Sequence, residues 1–189
     1  HNFFLIQIST DFVFDGKKHI PYTPSDETNP LGVYGASKLQ GEKAVISKAL
    51  IIRTSWLYSS YGNNFVKTIV RAGQERSELK VVADQIGCPT YAAHLAQAII
   101  QIIEQGEFES GIYHYCDAGI ASWYDFAVEI CKIFKITCQV YPIPTSEYPT
   151  PALRPIYSVM DGRDIEQKFN IERSHWLDGL RECHAKMNI

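Results

Sequence analysis

The feature that most constrains the fold is a pair of apolar runs with a helix-like segment between them. Residues 3 to 9 (FFLIQIS) are apolar almost without interruption, and residues 49 to 58 (ALIIRTSWLY) repeat the pattern. A run of this kind marks a strand covered on both faces, as in a parallel sheet. Between the two, "YGASKLQGEKAVISK" (34 to 48) has helical spacing, with Leu39, Ala44 and Val45 able to share a face. Strand, loop, helix, strand is the βαβ unit of a doubly wound sheet.

The alternation continues downstream. The spacing predicts a helix over 63–76 with an Asn cap, a strand over 79–84, a helix over 91–106 ending on a capping Gly and a strand over 111–116. A helix over 122–134 opens on Ser122 with Asp125 three residues on, the spacing of a capping box. The segment 141–157 carries Pro142, Pro144, Pro149, Pro151 and Pro155 and reads as irregular. "GRDIEQKFNI" and "SHWLDGLRECHAKM" close the chain as two short helices. The glycines do not spell G-x-G-x-x-G: Gly32 and Gly35 are three apart, but Lys38 follows where another Gly is needed.

Composition removes several classes. With 189 residues, 46% of them hydrophobic and 21% charged, the chain is globular rather than disordered. A net charge of −3, with Lys and Arg dispersed, offers no basic face for nucleic acid. No apolar run is long enough to span a bilayer and no signal peptide opens the chain, so no membrane partner and a cytoplasmic location are expected. Cys88, Cys116, Cys131, Cys138 and Cys183 have no paired spacing and the histidines no ligand spacing, so no metal site is expected. The chain opens on His1 without an initiator Met and already close to a buried run, from which we expect a piece of a longer protein.

Ser9-Thr10-Asp11 ends the first apolar run, and open α/β sheets place ligands at the carboxyl ends of their strands. Asp11 alone would serve equally to cap a turn. Tyr34 and Lys38 are spaced i, i+4 and leave one helix face toward one point. A phenol is a poor proton donor or acceptor at neutral pH, and a nearby ammonium favours the phenolate and brings the proton within reach. A lone Tyr-x-x-x-Lys also fits a surface pair. Joined to Thr10, whose hydroxyl can donate to a carbonyl or oxyanion, it fits ketone reduction by a hydride source.

"STDFVFDG", "PLGVYGASKLQGEKAV", "IIRTSWLY" and "DQIGCPTY" together resemble the extended short-chain dehydrogenase/reductases, and within them the dTDP-4-dehydrorhamnose reductases. The resemblance runs from about Phe4 to "RPIYSVMD" and begins partway into that family's protein, past its glycine-rich turn. It implies an α/β fold: the C-terminal part of a doubly wound, Rossmann-like parallel sheet plus a small α/β substrate-binding subdomain. Residues 1 to 116 would be the remainder of the NAD(P)-binding domain with substrate-domain insertions, and residues 117 to 189 mainly the substrate-binding subdomain.

The implied reaction is NADPH-dependent reduction of dTDP-4-dehydro-L-rhamnose to dTDP-L-rhamnose, with NADH an open alternative. Thr10, Tyr34 and Lys38 match the catalytic triad: Thr10 holds the C4 carbonyl, Tyr34 donates the proton and Lys38 binds the nicotinamide ribose. Ser9 joins Tyr34 and Lys38 on the cofactor side. Asp11, Phe12 and Trp56 match substrate-side positions, and Phe12 stands where relatives carry Tyr, which removes a hydroxyl. Gln85, Thr90 and Arg154 lie in segments similar to those around the nucleotide, where an Arg suits a diphosphate. Taken alone, Trp56 reads equally as core and Arg154 as a solvated side chain.

Two other functions compete. A 4,6-dehydratase or epimerase of the same superfamily typically has Glu after Thr-Asp, and the phenyl ring of Phe12 cannot transfer a proton. A non-catalytic cofactor-binding subunit, similar to the regulatory β subunit of methionine adenosyltransferase, shares the loop and the Tyr-x-x-x-Lys helix. The partners expected are the dTDP-sugar, the missing N-terminal half of the same protein and a second copy in a homodimer. Without the glycine turn these residues alone should bind NADPH poorly, and an uncovered strand edge should favour self-association.

Overall fold

The computed structural model describes residues 4–106 and 109–187. Phe3, expected to open the first strand, and His1 lie outside the described residues. The first strand, β1, is Leu5–Thr10, followed by a single 3-10 turn over Asp11–Val13 and a long loop. Helix α1 is Val33–Val45 and strand β2 is Ala49–Thr54, parallel to β1 in register from Leu5 opposite Ala49 to Thr10 opposite Thr54. This is the expected βαβ unit.

The run expected as one strand over 49–58 is broken. It resumes as β3, Leu57–Tyr58, in a different sheet. The break falls at Ser55-Trp56, where Trp56 takes a left-handed backbone with φ 47. A β-ladder cannot continue through a residue with positive φ, so the chain leaves the first sheet there.

Helix α2, Phe65–Glu75, starts on Asn64, whose side chain accepts from the Lys67 N–H; such a cap contributes about 1 kcal/mol. Strand β4 is Glu78–Val82, β5 Ile86–Gly87 and β6 Thr90–Tyr91, the last pairing with β3. Helix α3, Ala92–Gln105, ends on Gly106 at φ 68, the left-handed cap that glycine adopts without a Cβ clash. Strand β7, Gly111–His114, stops two residues short of the expected end and completes the parallel order β1-β2-β7.

Strand β8, Ala121–Ser122, leads into α4, Trp123–Ile133, with both arms of the Ser122–Asp125 capping box formed. The proline-dense segment is not irregular from its start: β9, Gln139–Ile143, pairs with β4 along its length. Pro142 is tolerated because β9 has no second partner strand among the described residues, so its missing N–H leaves no ladder bond unmade. Helices α5, Arg163–Phe169, and α6, Trp176–Lys186, are the two predicted near the end.

Two cores result. Leu50 and Ile52 of β2 pack with Leu95, Ala98 and Ile102 of α3 and with Ile165 and Phe169 of α5. Val66, Ile69 and Val70 of α2, Phe126 and Ile130 of α4 and Leu180 of α6 pack behind β4. Each fully buried Leu, Ile or Phe contributes roughly 1.5–3 kcal/mol. A smaller cluster of Val13, Phe14, Tyr22 and Met160 pins the loop after β1.

Helix α1 departs from expectation. The apolar face expected from Leu39, Ala44 and Val45 is not the one buried: Ala44 is exposed, and the buried residues are Gly35 and Glu42. The helix is seated by close backbone approach and by charge rather than by an apolar stripe. A Cβ at Gly35 would lie 2.1 Å from the Phe12 carbonyl oxygen, so only glycine lets the helix come this near the turn after β1. Among the described residues no helix is long and apolar enough to cross a membrane.

Candidate active site

The carboxyl end of β1, the turn after it and the first two turns of α1 enclose one side of a cavity of about 350 Å³. The break between β2 and β3 supplies the opposite side. Eight expected residues line it: Ser9, Thr10, Asp11, Phe12, Tyr34, Lys38, Trp56 and Arg154. They come from sequence positions more than a hundred apart, which the sheet order brings to one strand end.

Thr10 is fixed at both poles of its hydroxyl. It donates to Asp11 Oδ1 at 3.0 Å and accepts from the Phe12 N–H at 3.2 Å, capping the short turn. Lys38 Nζ donates to the Ile8 carbonyl oxygen at 2.5 Å, which uses one of its three protons and leaves two. Tyr34, one helical turn earlier, is 57% exposed and meets the Phe12 ring edge-on at 5.7 Å. Its phenol therefore stands toward solvent while its ring is braced.

Asp11 is buried, and burial pushes its carboxyl up to about 6; the Ser158 and Thr10 hydroxyls draw it partly back. Its Oδ2 has no partner at hydrogen-bond distance, and neither do the buried hydroxyls of Ser9 and Thr54. All three residues line the cavity. Buried polar atoms left without partners at a cavity wall suit a ligand that brings its own hydroxyl or amide groups. On that test Ser9 fits a polar ligand, and the Tyr34 hydroxyl and the two remaining Lys38 protons stand on the same wall, a donor set that suits ribose hydroxyls.

A second cavity of about 210 Å³ lies alongside, walled by Phe65, Lys80, Gln85, Trp123 and Arg154 among others. Trp123 and Arg154 line both. Arg154 is exposed and has no ion pair or hydrogen bond among the described residues, so its charge is available to an anion. Gln85 is held by a bond from its Nε2 to Thr145 Oγ1 at 3.1 Å. Thr90 lines neither cavity; it is fully buried and its hydroxyl donates to the Cys88 carbonyl oxygen at 3.3 Å. Sequence reasoning missed Trp123, whose position directly after a helix cap looks like ordinary helix start. It also missed Ser158, for which no local signal exists.

Residues 1–189, the whole chain, match the RmlD substrate binding domain. The chain belongs to the RmlD family. Within it, a dTDP-4-dehydrorhamnose reductase of Aggregatibacter actinomycetemcomitans is 43% identical over 198 residues, covering 98% of this chain and 67% of the relative. A solved dTDP-4-dehydrorhamnose reductase of Clostridium acetobutylicum superposes with a TM-score of 0.91 at 42% identity, over 98% of this chain and 66% of that one. The Bacillus anthracis enzyme, solved in complex with NADP, gives 0.91 at 40% identity over 97% and 66%. The chain thus spans about two thirds of the length of these RmlD relatives, which share its Rossmann-like fold.

Proposed function

We propose that the protein reduces dTDP-4-dehydro-L-rhamnose to dTDP-L-rhamnose with NADPH, and that this chain carries its proton donor and most of its sugar site. The observation that carries the reading is the convergence of Thr10, Tyr34, Lys38 and Trp56 on one cavity in a chain of the RmlD family. The NADP-bound relative supports the choice of cofactor.

Bound NADPH supplies hydride to C4. The chain's own residues do the rest. The Thr10 hydroxyl, polarised by the Phe12 N–H, turns its proton from Asp11 to the C4 carbonyl oxygen and withdraws charge from it. Tyr34 delivers its phenolic proton to the same oxygen as charge develops there. Lys38 keeps one proton on Ile8 and presents the others to the ribose and the phenolate, so the site stays positive where the phenolate forms. Trp56 offers an indole face to the sugar, Arg154 meets the diphosphate and the Gln85 side holds the nucleotide.

The sheet β1-β2-β7 with α1, α3 and α5 is on this reading the cofactor side, and β4-β9 with α2, α4 and α6 the substrate side. The outer edge of β1, which has no partner strand among the described residues, is where the N-terminal half of a longer protein would pair. A second copy is the competing occupant. On the same reading the protein works in the cytoplasm.

The test is NADPH oxidation by the full-length protein supplied with dTDP-4-dehydro-L-rhamnose, followed by loss of the cofactor's near-ultraviolet absorbance, beside Tyr34→Phe. Turnover that falls by about a hundredfold or more in the variant, the scale of general acid catalysis, supports reaction and proton donor together. Tight NADPH binding with no turnover by the unmodified protein overturns the reading in favour of a cofactor-binding subunit.

A further inference from the structure

The indoles of Trp56 and Trp123 lie face to face, their centroids 3.5 Å apart and their planes 4° from parallel. Each covers one face of the other, so no flat group fits between them. Trp56 lines the first cavity only, whereas Trp123 lines both. Whatever face Trp56 offers a sugar is therefore the face turned away from Trp123.

Trp56 does not hold that orientation by itself. Its backbone is left-handed at φ 47, a conformation that a bulky residue keeps only when its surroundings over-determine it. Two contacts do so. A Cβ at Gly87 would lie 2.6 Å from Trp56 Cε2, so the β5 backbone abuts the ring. Trp123 covers one face of it. Trp123 is itself rigidly placed: it is the first residue of α4, behind the complete Ser122–Asp125 capping box, with Phe65 packed on it at 4.6 Å.

We infer that Trp123 is a positioning residue: its stack sets the tilt of Trp56, and filling the second cavity with a nucleoside diphosphate locks that tilt. The inference rests on the proposed function for the identity of the ligand. A sugar ring displaced by even about 1 Å loses on the order of a hundredfold in rate, so the tilt of its platform matters more than the contact itself. Phe65 and Trp123 wall the nucleotide side, Arg154 stands at the junction, and Trp56 receives the result on the sugar side.

The experiment is a double-variant cycle in the full-length protein: Trp56→Ala, Trp123→Ala, Trp123→Phe and the Trp56→Ala/Trp123→Ala pair. Trp123→Ala is expected to lower kcat about tenfold or more with KM for NADPH unchanged. Trp123→Phe keeps a flat ring and should recover most of that loss. Because Trp123 acts through Trp56, the pair should be no worse than Trp56→Ala alone; losses that multiply overturn the inference.

A second measurement does not need turnover. Two indoles stacked this closely couple excitonically and give a couplet in circular dichroism, which the third tryptophan of this chain, Trp176, does not supply, its ring contacts among the described residues being Phe126 and His175. The couplet should vanish in either single alanine variant and strengthen when dTDP saturates the unmodified protein. A couplet indifferent to dTDP, with dTDP binding shown by calorimetry, overturns the coupling. If the unmodified protein binds dTDP but does not turn over, the proposed function fails while the couplet and a dTDP binding cycle still decide the role of Trp123.

Discussion

Arg53 grips both carboxylate oxygens of Glu42, Nε to Oε1 at 2.9 Å and Nη2 to Oε2 at 2.7 Å, with both side chains 2% exposed. Since Gly35 and Glu42 are the buried residues of α1, this pair is much of what seats the helix carrying Tyr34 and Lys38. Breaking it from one side strands a charge. Glu42→Ala should cost about 3–5 kcal/mol, whereas replacing both residues by Leu and Met should cost clearly less, because no unpaired guanidinium is then buried. Urea unfolding midpoints of the two variants decide this; equal losses would show that the partner's charge is irrelevant.

Two glycines of α1 should respond in opposite senses to the same substitution. Gly35→Ala pushes a methyl into the Phe12 carbonyl and should destabilise by about 1–3 kcal/mol while lowering turnover, since the turn it displaces holds Thr10. A methyl at Gly41 would meet nothing within 4 Å, so Gly41→Ala should stabilise by up to about 1 kcal/mol through helix propensity alone. Thermal melts of the two variants measured side by side test the pair, and a destabilised Gly41→Ala would contradict the account.

Asp11 should make the folded state weaker as pH rises. Its carboxyl titrates near 6 when folded and near 3.8 when unfolded, so between those values the folded state binds more protons. Stability from this group is complete below about pH 4 and lost as pH climbs through 6. Asp11→Asn removes that decline and should be the more stable protein above pH 6, by up to about 3 kcal/mol. Unfolding free energies at pH 4 and pH 8 provide the check: an unchanged difference between them in the variant would refute the burial argument.

His114 opposes Asp11 across the same range. It is fully buried, its Nδ1–H donates to the Tyr22 carbonyl oxygen at 3.1 Å, and Nε2 has no partner. Burial first, then the Arg53 charge, push the imidazole down to about 3 from the ordinary 6.5. Between those values the unfolded state binds the extra proton, so stability falls as pH drops from 6.5 toward 3. His114→Phe should lose some stability at neutral pH with the Tyr22 bond, yet show a shallower acid limb. An acid limb as steep as the parent's would point to other groups.

What the sequence made legible follows from which interactions are periodic. The strands β1 and β2, the Asn64 and Ser122 caps and the Gly106 terminus are written in runs and spacings of neighbouring residues; the caps and terminus appear where expected, β2 starts where expected but ends at Thr54, and β1 is half-buried along Leu5–Ile8 where cover on both faces was expected. Thr10, Tyr34 and Lys38 could be grouped because a strand end and the next helix start flank a single loop, and the structure brings the three to one cavity. The buried face of α1 was not, because it is chosen by Gly35 against a carbonyl and by Glu42 against Arg53, contacts that have no periodicity. Trp123 was hidden for the same reason: its stack on Trp56 joins residues far apart in sequence on the edge of one core, a contact with no periodicity. The β9 strand was masked by Pro142, whose cost depends on whether that edge needs a donor.

The left-handed turn at Trp56 has a mechanical consequence. It is the point at which the chain passes from β2, paired with β1 and β7, to β3, paired with β6. The residue proposed to face the sugar is thus also the joint between two sheets with separate cores. Any twist of one core against the other loads that joint as torsion, and because the indole is held against Gly87 and Trp123, the load passes into those neighbours instead of swinging the ring.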